Sequence, residues 1–422
     1  MRRRTAPILL LGCLMALVIP SAASGDDLRD DQWYLADYGF ETVWQTTEGE
    51  GVLVAVIDSG IDATHPDLAG AVRPGIDLTG ESSDGTTAIG GAGRYHGTAV
   101  ASLIAGRGHG DGGADGVRGV APAAELLPVA MASSAAGDDI YEQLPEAIRY
   151  AVDHEADVIN ISLGESMDEY NPYYEAWTEA LAYAASNQVV VVAAVGNLYT
   201  GGVSGPANMA SVVGVGSVDR EGAVSPGVTA KGPEVAVAAP GSTSLCTAHV
   251  SATPCEGFPA AGEEAGYVSF TGSSGAAPIV AGTAALIIAA RPGISAADVV
   301  QRLVSTADNP AGPGQRDDDL GFGRIDPVAA VTSEVASVDE NPLGVPAGTT
   351  TREPDDVATT TTTTTTPGAT SGTAPDASGS TSADGGGVSP LAWVLVGATA
   401  LAVATAAAVL IARRRRSAGT GF

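Results

Sequence analysis

Four short segments bring together the residue types that nucleophilic hydrolysis of an acyl bond needs, and three of them run in the order carboxylate, imidazole, hydroxyl. The first, Val54-Ala55-Val56-Ile57-Asp58-Ser59-Gly60-Ile61-Asp62, is an apolar, β-branched run that ends on an acid. It reads as a buried strand delivering Asp58 at its end, where a carboxylate fixes the tautomer of an imidazole and stabilises the imidazolium. The second, His96-Gly97-Thr98-Ala99-Val100-Ala101-Ser102, sets an imidazole at the start of a helix of small residues, which suits a general base. The third is Phe270-Thr271-Gly272-Ser273-Ser274-Gly275-Ala276-Ala277-Pro278. Its small residues lead into an apolar helix, so the Ser274 hydroxyl stands at a helix N-terminus, where backbone N–H groups stabilise a developing oxyanion. The fourth, Val192-Ala193-Ala194-Val195-Gly196-Asn197, is a strand whose terminal Asn197 can donate its amide to the same oxyanion. Singly, Asp58 and Asn197 would read as turn formers after a strand; their conjunction with His96 and Ser274 is what points to chemistry.

The elements that must position these residues alternate. Between about 33 and 331, β-branched runs at 52–57, 125–130, 157–163 and 189–195 are interleaved with helical patterns starting at His96 and covering 141–155 and 173–187. That alternation predicts an α/β fold with a mostly parallel sheet between helices, and in such sheets sites form at the carboxyl ends of strands. Two helices close the domain: the apolar stretch 278–290, too long for a strand, and 295–307, opened by a capping box of Ser295 and Asp298. The Gly-x-Ser-x-Gly elbow of another hydrolase class does not fit, because position 276 is alanine and the Asp, His, Ser order is wrong for it. His65, His109, His154 and His249 lack the setting of His96 and read as surface or capping residues.

Only one stretch of the 422 residues reads as globular. Residues 1–23 read as a secretory signal: Arg2 to Arg4, an apolar run, then small residues up to Ala23. Cys13 follows Leu10-Leu11-Gly12, a loose lipoprotein-like box, but the apolar run continues past it, as in ordinary cleavage. The predicted domain spans 24–333, and 334–389 reads as a Thr-, Pro-, Gly- and Ser-rich stalk with eight consecutive threonines from Thr359, too poor in large apolar side chains to fold. Residues 390–412 read as a transmembrane helix and 413–422 as a tail whose Arg413 to Arg416 stay cytoplasmic, leaving the domain outside the cell. A formal net charge of −29, with seven of 20 basic residues in the signal and tail, excludes nucleic acid as a partner. Beyond the signal only Cys246 and Cys255 remain, close together in an oxidising compartment, so a disulfide between them is expected rather than a redox or metal site.

The four segments together resemble the subtilase family, whose hallmarks are an aspartate ending a strand, His-Gly-Thr, an Asn after Ala-x-Gly, and Gly-Thr-Ser-x-Ala-x-Pro around the nucleophile. Here Ser273 replaces the threonine and Gly275 takes the variable place, neither change removing a catalytic group. The resemblance implies a subtilisin-like three-layer fold and an Asp58, His96, Ser274 triad with Asn197 in the oxyanion hole. It also implies that Ser162-Leu163-Gly164 pairs with the substrate backbone and that Ala194-Val195-Gly196 walls the primary pocket. Trp33 and Leu35 before the first strand, Gly321-Phe322-Gly323-Arg324-Ile325-Asp326-Pro327 at the domain end, the stalk, the anchor and the basic tail are similar to the mycosins, subtilases associated with type VII secretion in actinobacteria. A protein or peptide substrate and secretion-system membrane components are the partners this implies, with no cofactor. About ten residues between the signal and Trp33 are too few for a folded inhibitory prodomain, which mycosins likewise lack. Subtilisins bind structural calcium, but no oxygen-ligand spacing here supports a metal, and Asp317-Asp318-Asp319 reads as a solvated loop. The rival function is a scaffold that supports a secretion complex without cleaving; a stalked adhesin would leave the catalytic segments unexplained.

Overall fold

The computed structural model describes residues 29, 31–89, 95–131, 139–197, 202–224, 228–241, 244–247 and 267–349. The chain divides at Asp355 into two units, and every described residue lies in the first. Its strands are β1 (Leu53–Asp58), β2 (Ile76–Asp77), β3 (Arg107–His109), β4 (Asp115–Arg118), β5 (Glu125–Ala130), β6 (Val158–Ile161), β7 (Val190–Ala194), β8 (Val213–Val218), β9 (Val237–Pro240), β10 (Ser244–Thr247) and β11 (Tyr267–Phe270). The helices are α1 (Trp33–Asp37), α2 (Phe40–Val43), α3 (His96–Ala105), α4 (Asp139–Asp153), α5 (Tyr174–Ser186), α6 (Ser273–Ala290), α7 (Ala296–Ser305) and α8 (Pro327–Thr332).

Seven strands form one sheet in the order β2-β5-β1-β6-β7-β8-β9, and every pairing within it is parallel. β3 with β4 and β10 with β11 form two antiparallel ribbons. Side chains alternate across the sheet. Val54, Val56, Val158, Val192 and Val215 pack with α3, α6 and α7 on one face; Leu53, Ala55, Ile57, Ile159 and Val191 pack with α4 and α5 on the other. Because both faces are covered, the strands read as unbroken apolar runs rather than alternating ones. From β1 the chain goes out to the edge at β2, comes back to β5 beside β1, and then lays down β6 to β9 in turn on the other side. The strand order therefore reverses between β1 and β6, and a crevice opens outside their carboxyl ends.

α6 is apolar and long enough to cross a membrane, with a mean hydropathy of 1.6, yet it is the central helix of the core, buried along most of its length. Ile279, Val280, Leu286 and Ile287 are fully buried there, each worth about 1.5–3 kcal/mol of transfer free energy. The helix starts at Ser273, five residues before the start expected at 278. Ser273, Ser274 and Gly275 have weak helix propensity, and packing against the sheet imposes the turn. The Ser295 hydroxyl caps α7 by accepting from Asp298 N at 3.0 Å, but the carboxylate of Asp298 does not close the capping box. It accepts instead from Val338 N at 2.9 Å. That bond belongs to a difference at the domain end: residues 334–349, expected to begin the stalk, lie along the domain. Ser211 N donates to Leu343 O, Asn341 Nδ2 donates to Ser211 O, and the Leu343 side chain packs on the core. The predicted signal, the stalk beyond 349, the membrane helix, the tail, His249 and Cys255 lie outside the described residues.

Candidate active site

The four predicted residues come from four different elements and fall into two groups: Asp58 is bonded to His96, and Asn197 lies beside Gly272 and Ser274, while the Ser274 hydroxyl is bonded to Ser162 O and not to His96. Asp58 ends β1, His96 begins α3, Asn197 follows β7 and Ser274 is the second residue of α6. Asp58 is fully buried, and its two carboxylate oxygens lie 2.9 and 2.8 Å from His96 Nδ1. Oδ1 also accepts from Ser59 N at 2.7 Å. Two further bonds lock the start of α3 to the chain leaving β1: Gly97 N donates to Ser59 Oγ at 3.1 Å, and Asp62 N donates to Thr98 Oγ1 at 2.9 Å. Glycine is needed after His96, since a Cβ there would lie 2.3 Å from Gly60 O and 3.1 Å from Asp58 Cβ. Burial alone pulls the His96 pKa down; the Asp58 charge and hydrogen bond outweigh it and hold the imidazole above its ordinary value.

The Phe270 ring, at the end of β11, tilts against His96 with centroids 5.1 Å apart. It also explains Gly275, where a Cβ would lie 3.0 Å from Phe270 Cδ1. The glycine after the nucleophile makes room for the ring that flanks the base.

On the hydroxyl side, Ser274 Oγ donates to Ser162 O at 3.1 Å, and Ser162 Oγ donates to Ser274 O at 3.0 Å. The buried Ser273 hydroxyl donates to Gly196 O at 3.0 Å and ties the start of α6 to the segment after β7. Asn197 lies beside the start of α6. The point where a Cβ on Gly272 would stand is 3.5 Å from Asn197 Oδ1, 4.0 Å from its Nδ2 and 3.8 Å from Ser274 N.

Ser162 is buried, while Leu163 and Gly164 are partly exposed at the crevice. Ala194 and Val195 turn their side chains into the core, one on each face of the sheet. Val195 N donates to Val215 O, and Val195 O accepts from Ser204 N, so the backbone of this segment is already paired. Sequence reasoning missed Asn160, which is fully buried in β6 with Nδ2 3.1 Å from Ser162 Oγ. A polar residue amid Val158, Ile159 and Ile161 was the available signal. It also missed the role of Phe270, which its burial pattern alone does not distinguish from a core residue.

Away from the crevice, His65 is a capping residue as expected: its Nδ1 accepts from Asp67 N at 3.2 Å. His154 is on the surface against Tyr150. His109 is neither a cap nor a bare surface residue, because its Nδ1 lies 2.7 Å from the buried Asp67 carboxylate. Cys246 contributes its backbone to β10, opposite Val268. Asp317 Oδ1 accepts from Asp319 N and Leu320 N, and Asp319 pairs with Lys231 at 2.9 Å. Among the described residues no group of three or more His, Cys, Asp or Glu could hold a metal ion.

Comparison with known proteins agrees with this architecture. The sequence pattern of the subtilase family matches residues 49–323. Thermitase of Thermoactinomyces vulgaris is 33% identical over 271 residues, covering 64% of this chain and 86% of thermitase. Mycosin-4 of Mycobacterium tuberculosis is 34% identical over 349 residues, covering 74% of this chain and 72% of the mycosin. The solved structure of MycP3 protease from the type VII (ESX-3) secretion system superposes with a TM-score of 0.59 at 33% identity, covering 71% of this chain and 88% of that one. With Asp58 and His96 joined at the carboxyl edge of a parallel sheet, and a family pattern spanning almost all of that sheet, the chain belongs to the subtilase family of serine proteases.

Proposed function

We propose that the protein is an extracellular serine endopeptidase, anchored in the cell membrane by residues 390–412 and working beside a type VII secretion system. The single observation that carries the catalytic part is the buried Asp58 carboxylate 2.8 Å from His96 Nδ1 at the end of β1. A peptide lies along Ser162-Leu163-Gly164 as an added strand, its side chain before the scissile bond against Ala194-Val195-Gly196. As the peptide docks, the Ser274 hydroxyl leaves Ser162 O and turns to His96. Ser274 Oγ attacks the carbonyl carbon while His96 Nε2 takes its proton and Asp58 holds the ring and its new charge. The oxyanion accepts from Ser274 N–H and Asn197 Nδ2. The C–N bond breaks as His96 returns the proton to the leaving amine, and water, deprotonated by His96, then cleaves the ester and frees Ser274. The anchor and the secretion link rest on the sequence of 334–422 and on similarity to mycosin-4 and the MycP3 protease.

The test uses the full-length protein in detergent with a fluorophosphonate probe. Covalent labelling of the wild type and its loss in Ser274→Ala are expected. A folded wild type that takes no label would overturn the protease reading and favour the scaffold. For topology, protease added to intact cells should remove the domain and spare an epitope placed after Arg416.

A further inference from the structure

Hydrogen-bond accounting at the start of α6 exposes a gap at the nucleophile itself. In an α-helix the carbonyl of residue i accepts from the N–H of residue i+4. For Ser274 that residue is Pro278, which has no N–H and whose ring crowds the carbonyl four positions before it. The helix thus leaves the Ser274 carbonyl without its regular donor, at the one residue whose position the chemistry depends on. A side chain from another element supplies the bond: Ser162 Oγ donates to Ser274 O at 3.0 Å across 112 positions of sequence.

The Ser162 hydroxyl is itself steered. Asn160 Nδ2 lies 3.1 Å from Ser162 Oγ, so the amide donates and the hydroxyl's one hydrogen is left for Ser274 O. Asn160 is fully buried in an apolar strand, and its Oδ1 has no hydrogen-bond partner among the described residues. An amide buried in an apolar strand is costly unless it bonds, and the bond that Asn160 makes there is the one to the Ser162 hydroxyl.

We propose that Asn160 and Ser162 are positioning residues that replace the donor Pro278 removes. They hold the Ser274 backbone, and with it the oxyanion-binding N–H, in register with the strand end where the peptide docks. The inference rests on the protease reading above and adds residues to which that reading gives no such role.

A double-mutant cycle on the full-length protein in detergent tests it, with kcat and KM for a chromogenic peptide measured per fluorophosphonate-titrated site. Ser162→Ala alone should lower kcat about five- to tenfold, the worth of one hydrogen bond, with KM changed less than about twofold. Pro278→Ala restores an N–H opposite Ser274 O. In that background the same Ser162→Ala change should lower kcat by less than about twofold. Equal losses in both backgrounds, or no loss from Ser162→Ala with Pro278 in place, would overturn the proposal while leaving the protease reading intact. If Pro278→Ala does not fold, Asn160→Ala and Ser162→Ala form the cycle: together they should lower kcat no more than either alone, and additive losses would overturn the proposal. A wild type that neither hydrolyses nor takes label overturns the protease reading first.

Discussion

Among the described residues two aspartate–histidine pairs have nearly the same contact distance, Asp58 with His96 at 2.8 Å and Asp67 with His109 at 2.7 Å. In both, the carboxylate is buried and the imidazole is partly exposed, 24% for His96 and 36% for His109. Their surroundings differ. Asp58 ends β1 at the point where strand order reverses, with Phe270 against its histidine and with Ser274 bonded to the residue that follows β6. Asp67 sits in a short turn, Pro66–Leu68, and its second oxygen accepts from Val117 N at 2.8 Å and from the Tyr267 hydroxyl at 3.0 Å. The His65 ring meets Tyr267 edge-on at 5.4 Å. Asp67 thus fastens β3, β4 and β11 to one turn. An ion pair's own geometry does not make it catalytic; what stands beside the imidazole does.

The comparison can be broken by exchanging like for like. Asp58→Asn should lower kcat about 10⁴-fold, because the amide holds the wrong histidine tautomer. Asp67→Asn, the same change in the other pair, should leave kcat per titrated site within about threefold; a large loss there would erase the distinction. The stability effects should fall the other way. Asp67→Ala strands one histidine and two further donors, and should cost about 3 kcal/mol in denaturant unfolding. Asn197→Ala should lower kcat about 10²–10³-fold with little change in KM, as for loss of one oxyanion donor.

The smallest and sharpest effect is in pH. Because the His96 pKa is raised, the base stays protonated to a higher pH, and the acid limb of kcat/KM should have its midpoint above about 6.5. Asp58→Asn removes the raising charge and should move that limb to lower pH. The same shift contributes to folding stability below about pH 6.5, and that contribution is lost as pH rises through the folded-state value. An acid limb that ignores Asp58→Asn would mean that His96 is not the titrating base.

Much of this arrangement was legible before any coordinates. The β1, β5, β6 and β7 runs and both flanking helices α4 and α5 follow from local patterns, as do the Asp58 that ends β1 and the His96 that begins α3. β8 was harder to see, because Gly214 and Gly216 interrupt its apolar run, and β9 is only four residues long and ends on Pro240. The early start of α6 was hidden for a related reason: Ser273, Ser274 and Gly275 are helical only because the sheet beneath them makes that packing worthwhile.

Residue order along the chain determined the sheet class, the strand and helix ends on which Asp58, His96 and Asn197 stand, and the Pro278 four residues after Ser274. Those are local properties, written in side-chain period and in the residues that start or stop an element. Tertiary structure alone decided that β1 and β6 are neighbours, that Phe270 lies on His96, and that the Ser162 hydroxyl meets the carbonyl Pro278 leaves bare. Each depends on which backbone group faces which side chain across more than a hundred positions, and only the packed sheet specifies that.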